Sequence, residues 1–329
     1  MANMSHAPKS NNWQPTAAIN ELRLRADILT NIRAFFMARD VLEVETPLMC
    51  HTSVTDPFIE SIPAFYQAHP QEPAQRFYLQ TSPEYAMKRL LAADSGSIFQ
   101  LCKAFRQAEN GRLHNPEFTM LEWYRIGFNH LQLMHEVDAL LQTILQTQPA
   151  DYITYQQLFH DQLNVDVQHD SLNTLQQCAI DNHINVDAII TDRDTWLNLL
   201  LTHCIEPALG RERPCFIYDF PASQAALARM NADGETAARF EIYYHGMELA
   251  NGFHELQNVD EQRRRFESNN AARTALQLET MPIDELFLSG LEAGLPDCSG
   301  VALGIDRLVM LAAEKTTIHD VISFDLARA

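Results

Sequence analysis

Three stretches of this chain carry residues that could do chemistry. In FRQAENGRLHNPEFTMLEWYR, residues 105 to 125, Arg106 ends an apolar run, where its planar guanidinium fork suits a phosphate or a carboxylate. A His-Asn-Pro break follows at 114 to 116. Phe118, Met120, Leu121, Trp123 and Tyr124 are then mixed with Glu117 and Glu122, a composition foreign to an ordinary loop. In FEIYYHGMELANGFHEL, Glu241, Glu248 and Glu255 recur every seven residues, the first two in extended-looking sequence. Carboxylates set close together raise one another's pKa unless a cation intervenes, and their oxygens suit Mg2+; a nucleotide phosphate with magnesium would account for them. In GIDRL, residues 304 to 308, Arg307 falls in the first turn of an apolar helix and Gly304 permits close backbone approach, together an anion site at a helix amino terminus. The bland alternatives are a surface ion pair for Arg106, a solvated acidic strand edge for the glutamates and a chance Gly-x-Asp-Arg string. Charge this dense among apolar residues is costly unless a ligand satisfies it, and the three stretches are expected to converge on one pocket.

Other chemistries lack support. No G-x-x-x-x-G-K-S/T and no G-x-G-x-x-G occurs, so neither a P-loop nor a Rossmann site is expected. Cys50, Cys102, Cys178, Cys204, Cys215 and Cys298 are far apart and read as reduced thiols, and a lone histidine such as His203 reads as a packing residue. The 24 Lys and Arg residues against 43 Asp and Glu give a net charge of −19, which opposes extensive contact with bulk nucleic acid. Arg263 to Arg265 read as a solvated helix face. No apolar run approaches the roughly 20 residues of a membrane span, and no signal-like h-region opens the chain, so a cytoplasmic protein with no membrane contact is expected.

The elements that must position these residues follow from periodicity. Residues 1 to about 18, rich in Asn, Ser and Pro, read as a disordered or loosely docked tail. Leu24, Ile28, Ile32, Phe35 and Phe36 recur at helical spacing to about Arg39, with Asn20 as the cap. VLEVETP alternates as a strand that Pro47 ends. Strands are expected at 76 to 80, 98 to 105 and 118 to 125, with a helix opened by Ser82 and Pro83 between the first two. LQLMHEVDALLQTIL and TWLNLLLTHCIEPAL predict a helical insertion over about 130 to 210. Strands return at 215 to 220 and 239 to 249, Asn251-Gly252 marks a turn, and GVALGIDRLVMLAAE runs into a final apolar helix. Hairpin-like strands with intervening helices predict an α/β (α+β) fold built on a largely antiparallel sheet.

In order along the chain, these stretches resemble motifs 1, 2 and 3 of the class II aminoacyl-tRNA synthetases, and in pattern the lysyl-tRNA synthetases. HNPEFTMLEWY is similar to the lysine branch of motif 2, ELANGFHEL to its E-x-x-N-G-x-x-E-L segment, TSPE to its amino-acid-binding loop and GVALGIDRL to motif 3. Motif 1 begins near residue 20, so no anticodon-binding OB domain is expected. The family that resembles such a catalytic core alone, here residues 19 to 329, is that of the elongation factor P lysine ligases. Membership would imply an antiparallel sheet flanked by helices, an isologous homodimer, use of ATP with Mg2+ to activate (R)-β-lysine as an adenylate, and its transfer to a lysine side chain of elongation factor P.

The resemblance also implies roles. Arg106 would hold the α-phosphate and the substrate carboxylate, and Arg307 the γ-phosphate, as the two catalytic residues. His114, Asn115 and Phe118 would surround the adenine; Gln107, Ala108, Glu109 and Leu249 complete the ATP site. Glu241 and Glu248 would bind magnesium. Glu84 and Glu255, with Tyr124 and Asn251, would hold the two ammonium groups and the carboxylate of the amino acid, while Ser82, Pro83, Ala302 and Gly304 shape the pocket. Two departures stand out. The family's F-R-x-E here reads F-R-Q-A-E, which places Ala108 at the first acidic position and displaces the carboxylate to Glu109. Ala302 stands where lysyl-tRNA synthetases commonly carry glycine, and a methyl in a pocket wall shifts selectivity by about 1–3 kcal/mol; it is expected to disfavour α-lysine. Two rivals remain: a synthetase-like enzyme with another acyl acceptor, and an inactive amino-acid-sensing paralogue.

Overall fold

The computed structural model describes residues 13–184 and 190–329; the first twelve residues of the expected tail lie outside that range. The tail's last residues are docked: Thr16 and Ala17 donate backbone hydrogen bonds to Ser323 and Ile322, and Ala17 is buried. Helix α1 (Ile19–Met37) buries Ile28, Ile32, Phe35 and Phe36, the predicted stripe. It opens on Ala18 with no side-chain cap, so Asn20 lies within its first turn instead of capping it.

The strand expected at 41 to 47 is reduced to β1 (Leu42–Glu43), since the chain leaves the sheet edge towards Pro47, which has no N–H to pair. Strands β2 (Met49–Cys50), β3 (Pro63–Tyr66) and β4 (Gln75–Leu79) form a small sheet of their own, in the order β2-β4-β3. Helix α2 (Glu84–Ala92) follows, then β5 (Ile98–Phe105) and β6 (Glu117–Ile126), close to the predicted bounds.

The region expected as a helical insertion divides in two. Helix α3 (His130–Leu145), fastened by a capping box between Asn129 and Gln132, belongs to the main body: Leu133, Met134, Val137, Leu140 and Leu141 pack against Leu121, Trp123 and Phe240. Strand β7 (Asp151–Thr154) joins the main sheet. Helices α4 (Tyr155–Leu163), α5 (Leu172–Asp181) and α6 (Arg193–Leu200) then build a separate cluster around Tyr155, Phe159, Leu175, Trp196 and Leu197. His203, read as packing, is exposed on the π-helical turn Leu201–Ile205 that continues α6.

Strand β8 (Cys215–Pro221) leads to a hairpin where one strand was expected: β9 (Thr236–Tyr244) and β10 (Met247–His254). The turn is His245-Gly246, both at positive φ (52° and 71°), as a two-residue type I′ turn requires. Asn251-Gly252, expected as a turn, lies inside β10. Helices α7 (Val259–Ala275) and α8 (Glu285–Gly294), strand β11 (Cys298–Gly304) and helix α9 (Ile305–Ala312) complete the fold.

The main sheet runs β1-β5-β6-β11-β10-β9-β8-β7, antiparallel through its centre and parallel only in the edge pairs β1–β5 and β7–β8. It is the predicted sheet flanked by helices. One face is closed by α1, α3 and α9. On the other face α2, α7 and α8 cover Ile98, Tyr124 and Cys298 at one end, and α4 to α6 cover Ile217, Phe220 and Tyr243 at the other. The cleft between them is the site.

Candidate active site

Strand pairing assembles the cleft floor. Side chains opposite one another across a ladder project to the same face, so the row Gln100, Glu122, Ala302, Asn251, Glu241 crosses five strands on the cleft side. Along β6 the same alternation sends Met120, Glu122 and Tyr124 to the cleft and Leu121 and Trp123 to the core. A bulge between Glu248 and Ala250 restores phase in β10, so Glu248 and Asn251 share the cleft face three residues apart.

A cavity of about 980 Å³ lies over this floor. Arg106, His114, Phe118, Leu249, Gly304 and Arg307 line it, as do Ser82, Glu84, Tyr124, Asn251, Glu255 and Ala302. Glu109, Asn115 and Glu248 complete the expected residues found there. The three stretches therefore converge. Gln107 and Ala108 are exposed and stand off the wall, Ala108 in the left-handed region (φ 63°); Pro83 is buried beneath it as the residue preceding α2.

At the basic end, the Arg106 guanidinium stacks 5.2 Å from the Phe118 ring centroid and lies 3.6 Å from Glu109, while its Nε is buried without a partner. Glu109 thus takes up a position beside Arg106 although the acidic residue is displaced by one. The start of this loop is held from outside: the Gln107 N–H donates to the Glu60 carbonyl, and the Glu60 carboxylate receives the fully buried Arg273 at 2.6 Å. Arg307 donates to the Glu248 carbonyl at 2.7 Å and lies 2.7 Å from His114 Nε2. Burial and the Arg307 charge hold His114 below its ordinary pKa, which favours the neutral ring. The preceding Asp306 is structural: it binds Arg25 and the Thr119 N–H and so fixes α9 to α1 and β6. A Cβ on Gly304 would meet nothing nearer than Arg307 Cδ at 3.8 Å, so the space before it is open to a ligand. Asn115 instead spends its amide on Glu117 and Leu326 backbone groups.

Glu248 is pushed up to about 7 by desolvation and then by Glu241, although 37% exposure of its side chain tempers that rise. Glu241 does not reach the wall: its carboxylate is engaged by Arg239 and by the Tyr243 hydroxyl. Among the described residues no three His, Cys, Asp or Glu side chains form a metal-holding group. A cation here would draw on Glu248, with Glu241 behind it, and on oxygens brought by a phosphate ligand, an arrangement that suits magnesium.

The acidic end holds two residues that motif reading missed. Lys88 is 1% exposed and bridges Glu84 at 2.6 Å and Glu255 at 2.5 Å. Burial alone would lower its pKa, but the Glu255 and Glu84 charges outweigh it and hold the ammonium above its ordinary value. Glu122 accepts from Ser82 and Tyr124, each at 2.6 Å, and burial followed by the Glu84 charge pushes it up to about 8. Glu255 rises to about 7, again chiefly by burial. Both had a sequence signal: Lys88 stands four residues after Glu84 on one helix face, and Glu122 alternates with Met120 and Tyr124. The tripeptide Arg263 to Arg265 is no solvated face throughout, since Arg265 lines the cavity and donates to the Ala226 and Ala228 carbonyls.

Comparison with known proteins places the chain in a family. Residues 12–328 match the family model of the class II tRNA synthetases (D, K and N). The elongation factor P–(R)-β-lysine ligase of Vibrio atlanticus is 51% identical over 319 residues, covering 96% of this chain and 99% of the relative. The proteins of the same name from Pseudoalteromonas translucida and Vibrio cholerae are each 51% identical over 97% of this chain and 99% of their own length. The chain therefore belongs to the class II tRNA synthetases of the D, K and N group, and within them to the elongation factor P–(R)-β-lysine ligase family.

Proposed function

We propose that this protein is an ATP-dependent, AMP-forming ligase that activates (R)-β-lysine and transfers it to a lysine side chain of elongation factor P. The observation that carries the reading is one cavity with two opposed ends: Arg106 and Arg307 at one, and Glu84, Glu122 and Glu255 around Lys88 at the other. A nucleoside triphosphate fits the first, and a diamino acid the second.

The chain's residues can carry the chemistry by positioning and charge. Arg106, with a free buried Nε, orients the substrate carboxylate against the α-phosphate, and a carboxylate oxygen attacks phosphorus in line as pyrophosphate departs. Arg307, fixed by the Glu248 carbonyl, neutralises the departing phosphates. Glu248, with Glu241 behind it, would hold a magnesium ion, which would supply further charge neutralisation. A neutral lysine amine of the acceptor then attacks the adenylate carbonyl, an amide bond forms, AMP leaves, and the amine proton passes to solvent. No protein nucleophile is needed. The assembly is a homodimer: Met37 and Leu42 are 75% and 55% exposed beside edge strand β1, over an apolar hollow of about 670 Å³. Among the described residues no helix is long and apolar enough to cross a membrane.

The test is ATP–pyrophosphate exchange with (R)-β-lysine and α-lysine in turn, followed by intact-mass analysis of elongation factor P and of tRNA. Preference for the β-isomer and a mass gain on the protein alone are expected. Acylation of tRNA at a comparable rate, or no exchange with either isomer, would overturn the reading.

A further inference from the structure

We infer that Gln262 is a substrate contact whose amide oxygen accepts a hydrogen bond from an ammonium group of the bound amino acid. The inference rests on the cavity being an amino-acid activation site. Gln262 lines that cavity, is 0% exposed, and among the described residues is the side chain for which both polar atoms are buried without a partner. Buried amides are almost always hydrogen-bonded, and one that is not marks a place where something else completes the set. Arg106 Nε, Asn251 Oδ1 and Arg239 Nε are unpartnered in the same cavity, and Arg106 and Asn251 are already expected to touch ligand.

Its place in the fold selects the group it meets. Gln262 stands in the first turn of α7, one turn before Phe266 and so on the same helix face. Phe266 packs 5.7 Å from the ring of Tyr85, the neighbour of Glu84, and Glu255 lies just before the Asn258 cap of α7. The amide therefore borders the acidic end. There Lys88 is committed to Glu84 and Glu255, and the Ser82 and Tyr124 hydroxyls to Glu122, so among the described residues no donor meets the amide oxygen. A diammonium ligand brings N–H groups into that end, and a carbonyl oxygen that cannot find a donor in the chain finds one there.

The test uses the full chain and (R)-β-lysine-dependent ATP–pyrophosphate exchange. Gln262→Met keeps the shape and deletes the amide. It is expected to raise KM for (R)-β-lysine about tenfold while KM for ATP changes by less than about twofold. Its thermal midpoint is expected to hold or rise, because an unpartnered buried amide has gone. Gln262→Glu keeps an acceptor oxygen and is expected to stay within about threefold of wild type in KM for the amino acid. An unchanged amino-acid KM in Gln262→Met, or a fall in thermal midpoint with equal rises in both KM values, overturns the contact. If the Met variant does not fold, Gln262→Glu decides, and a tenfold rise there overturns the acceptor role. Absence of exchange in the wild type would sink the activation reading itself, which separates the two failures.

Discussion

Glu122 and Glu255 give the cavity a proton inventory. Their folded pKa values of about 8 and about 7 lie above the ordinary 4.5, so the free enzyme holds extra protons at neutral pH. A diammonium ligand favours the ionised carboxylates, so its binding should release protons. Its affinity should therefore rise as pH climbs from about 6 to about 8. Calorimetry of (R)-β-lysine binding in buffers of different ionisation enthalpy measures the release, and Glu122→Gln should diminish it. The stability sign is the reverse: the folded state binds more protons than the unfolded one between about 4.5 and about 8, so the ligand-free protein should lose stability as pH rises through that window. Thermal midpoints across this range should decline less steeply in Glu122→Gln. Ala302, flanked in the ladder by Glu122 and Asn251, lines the same cavity. Ala302→Gly should shift the ratio of kcat/KM values towards α-lysine by about 10-fold or more, within the 1–3 kcal/mol of one methyl; equal ratios in variant and wild type would show that the methyl does not select.

Elements deliver these residues through close strand contacts. A Cβ on Gly300 would come within 2.2 Å of the Tyr124 ring and 2.6 Å of Glu255 Oε1, and one on Gly252 within 2.3 Å of the Phe240 ring. Gly300→Ala should cost about 1–3 kcal/mol by overpacking and, because it displaces Tyr124 and Glu255 together, depress exchange more than the stability loss explains. Denaturation midpoints and kinetics on the folded fraction check both. Gly252 also shows where sequence reading reaches its limit. Asn-Gly is a strong local turn signal, but here the residue is small because a ring from β9 lies over it, and the real turn uses His245-Gly246. Arg106, Glu255 and Arg307 are legible because a charge inside an apolar run stands out, and the α1 stripe because its period is clean. Lys88 is not legible by type alone, since a lysine in MKRLLA passes for a solvated position; only its spacing from Glu84 betrays it. The division of residues 130 to 210 is hidden for another reason: α3 and α4 are alike in amphipathicity, and what separates them is which side of the sheet they cover.

At the scale of the molecule, α4 to α6 have a hydrophobic cluster of their own while α3 shares the central one, so the chain has one body with an appended layer on the cleft side. The proposed dimer contact, at the exposed Leu42 of the two-residue edge strand and Met37 beside it, would lie on the opposite edge of the sheet from β7 and β8. Light scattering should report a dimer, and Met37→Glu with Leu42→Asp should shift it towards monomer without unfolding it; a wild-type monomer at micromolar concentration would refute this interface. The bond from the Gln107 amide to the Glu60 carbonyl leaves a usable signature. Because Arg273 holds Glu60 and also the Asp56 carbonyl, that amide sits at the junction of α7, the 54–60 loop and the loop that follows β5 and carries Arg106. Its deuterium uptake is accordingly a clock for the opening of the cavity: it should slow when nucleotide and amino acid are bound together and quicken in Arg273→Lys, in which the forked grip on two segments is lost.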